Sequence, residues 1–161
     1  MKTSHLTKSF QQTLAFVDLE TTGASCTKDR ITEIGIVLVT EQGIQEWSQL
    51  LNPQTRIPGF IEQITGITNA MVAKQPTFSD VAEQVQILLK DCLFIAHNAR
   101  FDYGFLKNEF NRLGISFAPT VLCTVKLSRK LYPQYRHHNL DSLIERHQLQ
   151  INDRHRALAD A

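Results

Sequence analysis

Residues 13–23, TLAFVDLETTG, place a short apolar run directly before two closely spaced carboxylates. The run over residues 13–18 predicts a buried β-strand. Because alternate residues of a strand point to the same face, Asp18 and Glu20 should project together, while Leu19 points the opposite way. Adjacent carboxylates repel one another and lose hydration on burial unless water or a cation compensates them. Hard divalent cations such as Mg²⁺ prefer this oxygen environment.

The residues after the pair add to this interpretation. A single D-x-E pair is also typical of a solvent-exposed strand end, so the pair alone does not establish a metal site. Gly23 permits a backbone turn that larger residues resist. The hydroxyls and amides of Thr21 and Thr22 are placed to reach a bound nucleotide. An ordinary turn from strand to loop is equally compatible with these residues.

Two further strands follow in the next part of the chain. Residues 31–40, ITEIGIVLVT, are rich in β-branched side chains and predict the second strand. Gly43 then provides a tight link to a third strand over residues 44–51, which Asn52 and Pro53 end. We expect these three strands to form an antiparallel meander.

The remaining chain alternates helical and strand patterns. Apolar periodicity and capping residues predict the following elements: a helix over 79–90 capped by Ser79, a strand over 93–96, a helix over 101–113, a strand over 119–123, helices over 125–131 and 140–147, and a last helix from about residue 156. Strands first, and then strands alternating with helices, predict an α/β fold with a mixed sheet covered by helices. We expect one domain over residues 13–161, preceded by an extension at residues 1–12.

The composition narrows the functional classes. The chain has 161 residues, of which 42% are hydrophobic and 20% charged, as in an ordinary globular domain. No apolar run reaches the roughly 18 residues that span a membrane, and no apolar segment follows Lys2 and Lys8, so we expect a cytoplasmic protein without a membrane partner. Cys26, Cys92 and Cys123 show no metal-ligand spacing, which argues against a disulfide framework or a zinc site.

Charge is unevenly distributed along the chain. The net charge is +1, but residues 1–120 carry 10 Lys/Arg against 12 Asp/Glu, whereas residues 121–161 carry 7 against 4. Four of the six histidines also lie in the second part. This basic part indicates either a solvated surface or a local groove for phosphates, and charge alone does not decide between them.

Two more clusters combine histidine with aspartate. Residues 97–102, HNARFD, follow a predicted strand, where ligand sites of α/β folds gather. Asp102 should lie in the first turn of the next helix, a place that the helix dipole alone also favours. In HRALAD, residues 155–160, the five-residue separation turns a helix through about 500°, so His155 and Asp160 cannot share one face. We therefore expect His155 in the loop before the helix from which Asp160 projects.

The three clusters resemble, in this order, the motifs of the DEDDh (DnaQ-like) 3′→5′ exonuclease family, which includes proofreading exonucleases of bacterial replicative polymerases. The resemblance runs from about Leu14 to Ala161. Residues 64–68, ITGIT, are similar to a stretch that lines the family's nucleotide pocket, although a glycine turn between short helical pieces also explains them. The resemblance implies an RNase H-like mixed sheet of five strands in the order 3-2-1-4-5, flanked by helices.

The resemblance also implies a role for particular residues. The metal-site carboxylates would be Asp18, Glu20, Asp102 and Asp160, which would hold two Mg²⁺ or Mn²⁺ ions, and the general base would be His155. The positions that match contacts to the terminal nucleotide are Thr21, Ile64, Thr65, His97 and Phe101. The implied reaction releases nucleoside 5′-monophosphates from single-stranded 3′ ends, with DNA favoured over RNA.

The wider setting is also an expectation from the resemblance. Family domains continue beyond the final aspartate, so a chain that stops at Ala161 resembles a module truncated in its C-terminal helix. A polymerase subunit or a further fused domain is the implied partner. Two alternatives remain open from the residues: a non-catalytic nucleic-acid-binding module on the same fold, and an RNase H-like endonuclease or integrase.

Overall fold

A mixed sheet forms the centre of the computed structural model, which describes residues 12–161 and so leaves the predicted extension, apart from Gln12, outside the described residues. The five strands are β1 (Leu14–Thr21), β2 (Ile31–Thr40), β3 (Gly43–Leu50), β4 (Leu93–Ala96) and β5 (Thr120–Cys123). Their order is β3-β2-β1-β4-β5, which confirms the predicted sheet. The first three strands pair antiparallel as the expected meander, whereas β4 and β5 run parallel to β1.

The first strand is longer than predicted. It continues three residues beyond Asp18 because its pairing with β2 persists through Glu20 opposite Glu33 and Thr21 opposite Ile31. The register shifts only between Glu20 and Thr21. The ladder therefore fixes the backbone of both carboxylates, which a loop after residue 18 would not do.

Seven helices cover the sheet within the described residues. They are α1 (Gly59–Thr65), α2 (Asn69–Val72), α3 (Phe78–Leu89), α4 (Ala99–Arg112), α5 (Thr124–Leu131), α6 (Leu140–His147) and α7 (Ala157–Asp160). Gly66, with φ of 71°, ends α1 in the left-handed conformation, which confirms a glycine turn between short helical pieces. Within residues 12–161, none of the helices is both long and apolar enough to cross a lipid bilayer.

Two helix starts differ from the prediction because of their local capping. Thr77, rather than Ser79, precedes α3, and its backbone N–H donates to the Asp80 carboxylate at 2.7 Å. The fourth helix begins at Ala99, two residues early, because Asn98 adopts a left-handed conformation with φ of 71° at the strand-to-helix turn. That early start places Asp102 in the first turn, as predicted.

The main core lies between the sheet and α3 and α4. Phe110 packs edge-on against Phe78, with ring centroids 5.0 Å apart, and against Phe117 at 4.9 Å. Its side chain is completely buried. Within the sheet, β4 pairs with β1 in parallel, so the carboxyl ends of both strands meet at one edge.

Candidate active site

Three carboxylates converge at the carboxyl edge of β1. Asp18 and Glu20 project from one face of the strand, as their spacing predicts, and Asp160 approaches from α7. Each offers one carboxylate oxygen, and these three oxygens lie within 4.8 Å of one another. Among residues 12–161, no other group of three His, Cys, Asp or Glu side chains is this close. We call these three residues the acidic cluster.

The acidic cluster opens into a pocket of about 220 Å³, here called the carboxylate pocket. Asp102, only 2% exposed, lines the same pocket but does not join the cluster at that spacing. The structure thus brings together seven of the predicted site residues, namely Asp18, Glu20, His97, Phe101, Asp102, His155 and Asp160. Leu19, Asn98, Leu140 and Arg154 complete the lining.

Three predicted substrate contacts do not line this pocket. Thr21 is buried, and its hydroxyl donates to the Gly23 carbonyl at 2.6 Å. The Thr65 hydroxyl similarly donates to Ile61 within α1, at 3.0 Å. Ile64 is 55% exposed on the same helix. The contribution of these three side chains to nucleotide binding stays a prediction.

The structure places Gly23 in a different setting from the one expected. It does not have the positive φ that would favour glycine. Instead, a Cβ at this position would lie 2.5 Å from the Asp29 carboxylate, which accepts from the backbone N–H of Ser25 at 2.8 Å. A larger residue would therefore have to displace the Asp29 side chain from this contact.

The carboxylates are short of neutralising charge. Burial, and then the charge of Asp160, raise the pKa of Asp18 to about 7, while burial and the charge of Asp18 raise the pKa of Glu20 to about 8. Burial, and then Asp18, also raise the pKa of Asp102 well above its ordinary value. Oδ1 of Asp160 is buried without a hydrogen-bond partner in the described part of the chain. A divalent cation would reduce the repulsion among the carboxylates and would give Oδ1 of Asp160 a partner.

A single arginine partly offsets this negative charge. The guanidinium of Arg154 forms an ion pair with Asp160 and a second with Asp141 at 2.9 Å. Its charge opposes the effect of burial on the pKa of Asp160, which is nevertheless raised. The sequence analysis did not single out Arg154 because the residue precedes HRALAD, and no spacing rule connects it to the first strand.

The helix that carries Asp160 depends on a buried carboxylate in β2. A helix of four residues has little stability of its own. Glu33 is buried and accepts from the Arg156 guanidinium at 2.6 Å and from the backbone N–H of Ala157 at 2.9 Å. We call this contact the Glu33 anchor. The sequence contains a signal for this anchor, because Glu33 is the only charged residue in the apolar run ITEIGIVLVT and a buried charge needs a partner.

A glycine allows the same helix to approach the sheet. Asp18 pairs with Gly35, and Glu20 pairs with Glu33, so the four positions share one face. A Cβ at Gly35 would lie 2.3 Å from the backbone carbon of Ala157. The backbone of α7 therefore rests directly on β2, next to Asp18, at a distance that no other residue would permit.

Both histidines of the motifs border the carboxylate pocket. His155 is exposed in the loop before α7, as predicted, and its backbone N–H donates to the Asp160 carboxylate at 3.2 Å. Nδ1 of His97 lies 2.9 Å from the Thr124 hydroxyl, which itself donates to the Ala96 carbonyl. Nε2 of the same ring is buried without a hydrogen-bond partner in the described part of the chain. Burial lowers the pKa of His97, so the ring is neutral near pH 7.

Comparison with known families agrees with this geometry. The exonuclease family RNase_T matches residues 15–161, which include all three motifs. The chain belongs to this exonuclease family. Its members are hydrolases, so the chain is classed as a nuclease.

The relatives of this exonuclease-family chain are longer proteins. It is 42% identical over 154 residues to the 3′-5′ exonuclease DinG of Bacillus subtilis strain 168, covering 94% of this chain and 16% of that protein. It is 38% identical over 145 residues to the PolC-type DNA polymerase III of Caldanaerobacter subterraneus subsp. tengcongensis, covering 89% of this chain and 10% of that protein. The chain thus spans about one sixth or less of the length of these curated relatives.

A solved structure confirms the fold. Exonuclease X, in complex with 5′ overhanging duplex DNA, superimposes with a TM-score of 0.74 and 30% identity. The match covers 91% of this chain and 83% of that chain. The five-stranded sheet with its flanking helices is therefore the expected RNase H-like fold.

The Glu33 anchor predicts a local effect of one substitution. Glu33→Gln keeps the shape of the side chain but removes its charge, and hydrogen bonds to charged groups contribute about 1.5–3 kcal/mol. Hydrogen exchange measured by mass spectrometry should be about tenfold faster in a peptide spanning α7. Glu109→Gln is the matched control, because Glu109 is equally buried but pairs with Arg30 and Arg112. Equal exchange of α7 in both variants and in the original chain would contradict the anchor.

The raised carboxylate pKa values predict how stability depends on pH without metal. The folded state retains the Asp18 proton up to about pH 7, whereas the unfolded chain releases it near pH 4. The contribution of Asp18 to the free energy of unfolding is therefore complete below pH 4 and is lost as pH rises through 7. Urea unfolding in EDTA measures the free energy of unfolding at each pH. Its decline between pH 4 and pH 7 should be smaller in Asp18→Asn than in the original chain, by on the order of 2 kcal/mol.

Asp80→Asn is the control for that pH profile. Asp80 is exposed, and its hydrogen bonds with Thr77 lower its pKa, so its titration has the opposite sign. This substitution should leave the decline between pH 4 and pH 7 in place. An unchanged decline in Asp18→Asn would show that Asp18 is not the group responsible.

Proposed function

We propose that this chain is a metal-dependent 3′→5′ exonuclease that removes nucleotides from the 3′ end of single-stranded DNA, with RNA as a second substrate class. The products are nucleoside 5′-monophosphates. The observation that carries the proposal is the convergence of Asp18, Glu20 and Asp160 in an open pocket that Asp102 and His155 also line. A nucleic-acid-binding module needs no such set of desolvated carboxylates, because binding relies on positive charge.

Two Mg²⁺ or Mn²⁺ ions are the cofactors that fit this donor set. Asp18, Glu20 and Asp160 would hold them together with Asp102, which lines the same pocket. The raised carboxylate pKa values and the unpartnered Oδ1 of Asp160 support a cation at this place. When bound, such ions supply positive charge that neutralises the phosphodiester and activates water.

The two histidines have different parts in the proposed reaction. His155 accepts the proton of the attacking water at a ring nitrogen, and its exposed loop position at the pocket leaves that ring free to approach substrate. His97 lines the same pocket, where burial lowers its pKa, and it contacts the terminal nucleotide. Phe101 offers an apolar wall beside it.

The relatives support the polarity and the setting of this activity. The similar protein of Bacillus subtilis is named a 3′-5′ exonuclease, and the PolC-type relative is a DNA polymerase. Because the chain spans only a small part of either, association with a polymerase subunit or a further fused domain belongs to the proposal. A cytoplasmic location is likewise part of the proposal and rests on the sequence alone.

Digestion of matched 5′-labelled DNA and RNA oligonucleotides tests the proposed function. With Mg²⁺ or Mn²⁺, each strand should shorten to a descending ladder, and EDTA should abolish the reaction. A 3′-phosphate should block it, since a free 3′-OH enters the pocket. Asp18→Asn should abolish turnover and weaken Mn²⁺ binding measured by calorimetry, whereas Asp80→Asn should retain both. Cleavage of closed circles would instead indicate an endonuclease, and binding without hydrolysis would indicate a binding module.

The proposed general base predicts a separate kinetic result. His155→Ala should lower kcat by about 10²- to 10⁴-fold, the usual contribution of a positioned base, with little change in KM. His147→Ala is the matched control, because His147 is also exposed but lies against Tyr132, outside the carboxylate pocket. Comparable kcat values in the two variants would exclude His155 as the base.

A further inference from the structure

A second, larger cavity adjoins the carboxylate pocket. It has a volume of about 810 Å³, against about 220 Å³ for the pocket itself. His97 and Asn98 line both, so the two cavities are neighbours at the carboxyl end of β4. We call the larger cavity the basic groove, after the residues described next.

The groove carries positive charge that is not neutralised. Arg100 from α4, and Lys126 and Arg129 from α5, line it, whereas no Asp or Glu does so within residues 12–161. Lys126 and Arg129 are three residues apart and so lie on the same side of their helix. All three cations are exposed, and none forms a salt bridge in the described part of the chain.

Salt bridges occupy only some of the arginines outside the groove. Within residues 12–161, four of these seven arginines pair with a carboxylate and three do not, namely Arg30, Arg112, Arg154 and Arg156 against Arg56, Arg136 and Arg146. The lack of a salt bridge is therefore not specific to the groove. What distinguishes the groove is that three such cations lie together beside the carboxylate pocket, in a cavity that no described carboxylate lines.

The apolar part of the groove suits a single-stranded partner. Tyr103 lines it, and the tilted packing of this ring against Phe117, with centroids 6.1 Å apart, holds the ring in place. Val121 and Val125 add apolar surface. Proteins that bind single strands combine a basic groove for the backbone with apolar or aromatic surfaces on which bases stack.

We propose that the basic groove binds the nucleotides that precede the 3′-terminal one, with Lys126 and Arg129 contacting their phosphates. The inference rests on the proposed function, since it takes the terminal nucleotide to occupy the carboxylate pocket. The strand leaves that pocket past His97 and Asn98 and continues along α5. Its affinity therefore depends on strand length and on salt, whereas the chemistry at the terminal phosphate does not depend on these cations.

Two substrates of different length separate the groove from the carboxylate pocket. The p-nitrophenyl ester of thymidine 5′-monophosphate occupies only the terminal position, whereas an oligonucleotide also fills the groove. For Arg129→Ala and Lys126→Ala, we expect a several-fold higher KM for the oligonucleotide and unchanged kinetics for the ester. Each lost phosphate contact should also reduce the slope of log KM against log salt by about 0.7, the value for single strands.

Lys90→Ala is the matched control. Lys90 is also an exposed lysine, but it precedes β4 and lines a different cavity, whereas the basic groove lies beyond the other end of that strand. This variant should retain the original KM and salt slope. Circular dichroism checks that the three exposed substitutions leave the fold intact.

The outcomes distinguish this inference from the proposed function. Unchanged oligonucleotide KM and salt slope in both groove variants, with both substrates hydrolysed, would overturn the groove and leave the exonuclease in place. Loss of ester hydrolysis in the groove variants would also overturn it, because the cations would then act at the terminal phosphate. If the original chain hydrolyses neither substrate with metal present, the proposed function itself is wrong.

Discussion

Repulsion among partly buried carboxylates is the constraint around which this structure is organised. Asp18, Glu20 and Asp160 place their oxygens within 4.8 Å of one another, and the pKa of each is raised. Side chains in this condition would move apart if their backbones were free to do so. Two are fixed in a central strand that pairs on both sides, and the third comes from a helix tied to the neighbouring strand. The fold thus maintains a concentration of negative charge that favours cation binding.

The same constraint explains why β2 matters as much as β1. Glu33 and Gly35 are the cross-strand partners of Glu20 and Asp18, so one face of this strand pair carries both the site and the contacts that complete it. Glu33 contributes charge and hydrogen bonds, while Gly35 contributes the space that the backbone of α7 needs. Neither residue lines the carboxylate pocket. Their effect on chemistry is indirect and passes through the positions of His155 and Asp160.

The positively charged side chains near the site form two groups, one paired with carboxylates and one exposed. Arg154 pairs with Asp160 and limits the repulsion within the acidic cluster, whereas Arg156 pairs with Glu33 and helps to attach α7. Lys126 and Arg129 stay exposed on α5, where they face the adjoining cavity. The basic character of residues 121–161 therefore includes a structural component, the ion pairs of Arg154 and Arg156, and exposed cations for which we propose the binding of phosphates.

Local patterns determined much of this molecule. The β-branched run of residues 31–40 and the alternation around Asp18 predicted strands and a shared face for two carboxylates, because strand periodicity depends only on neighbouring residues. Their order in the sheet, and the roles of Asp102, His155 and Asp160, came instead from the resemblance to a family. Tertiary structure alone decided the length of β1, which depends on pairing with β2, and the attachment of α7 through Glu33 and Gly35. The attachment of α7 joins residues more than a hundred positions apart. No spacing along the chain encodes either contact, because both distances are created only by folding.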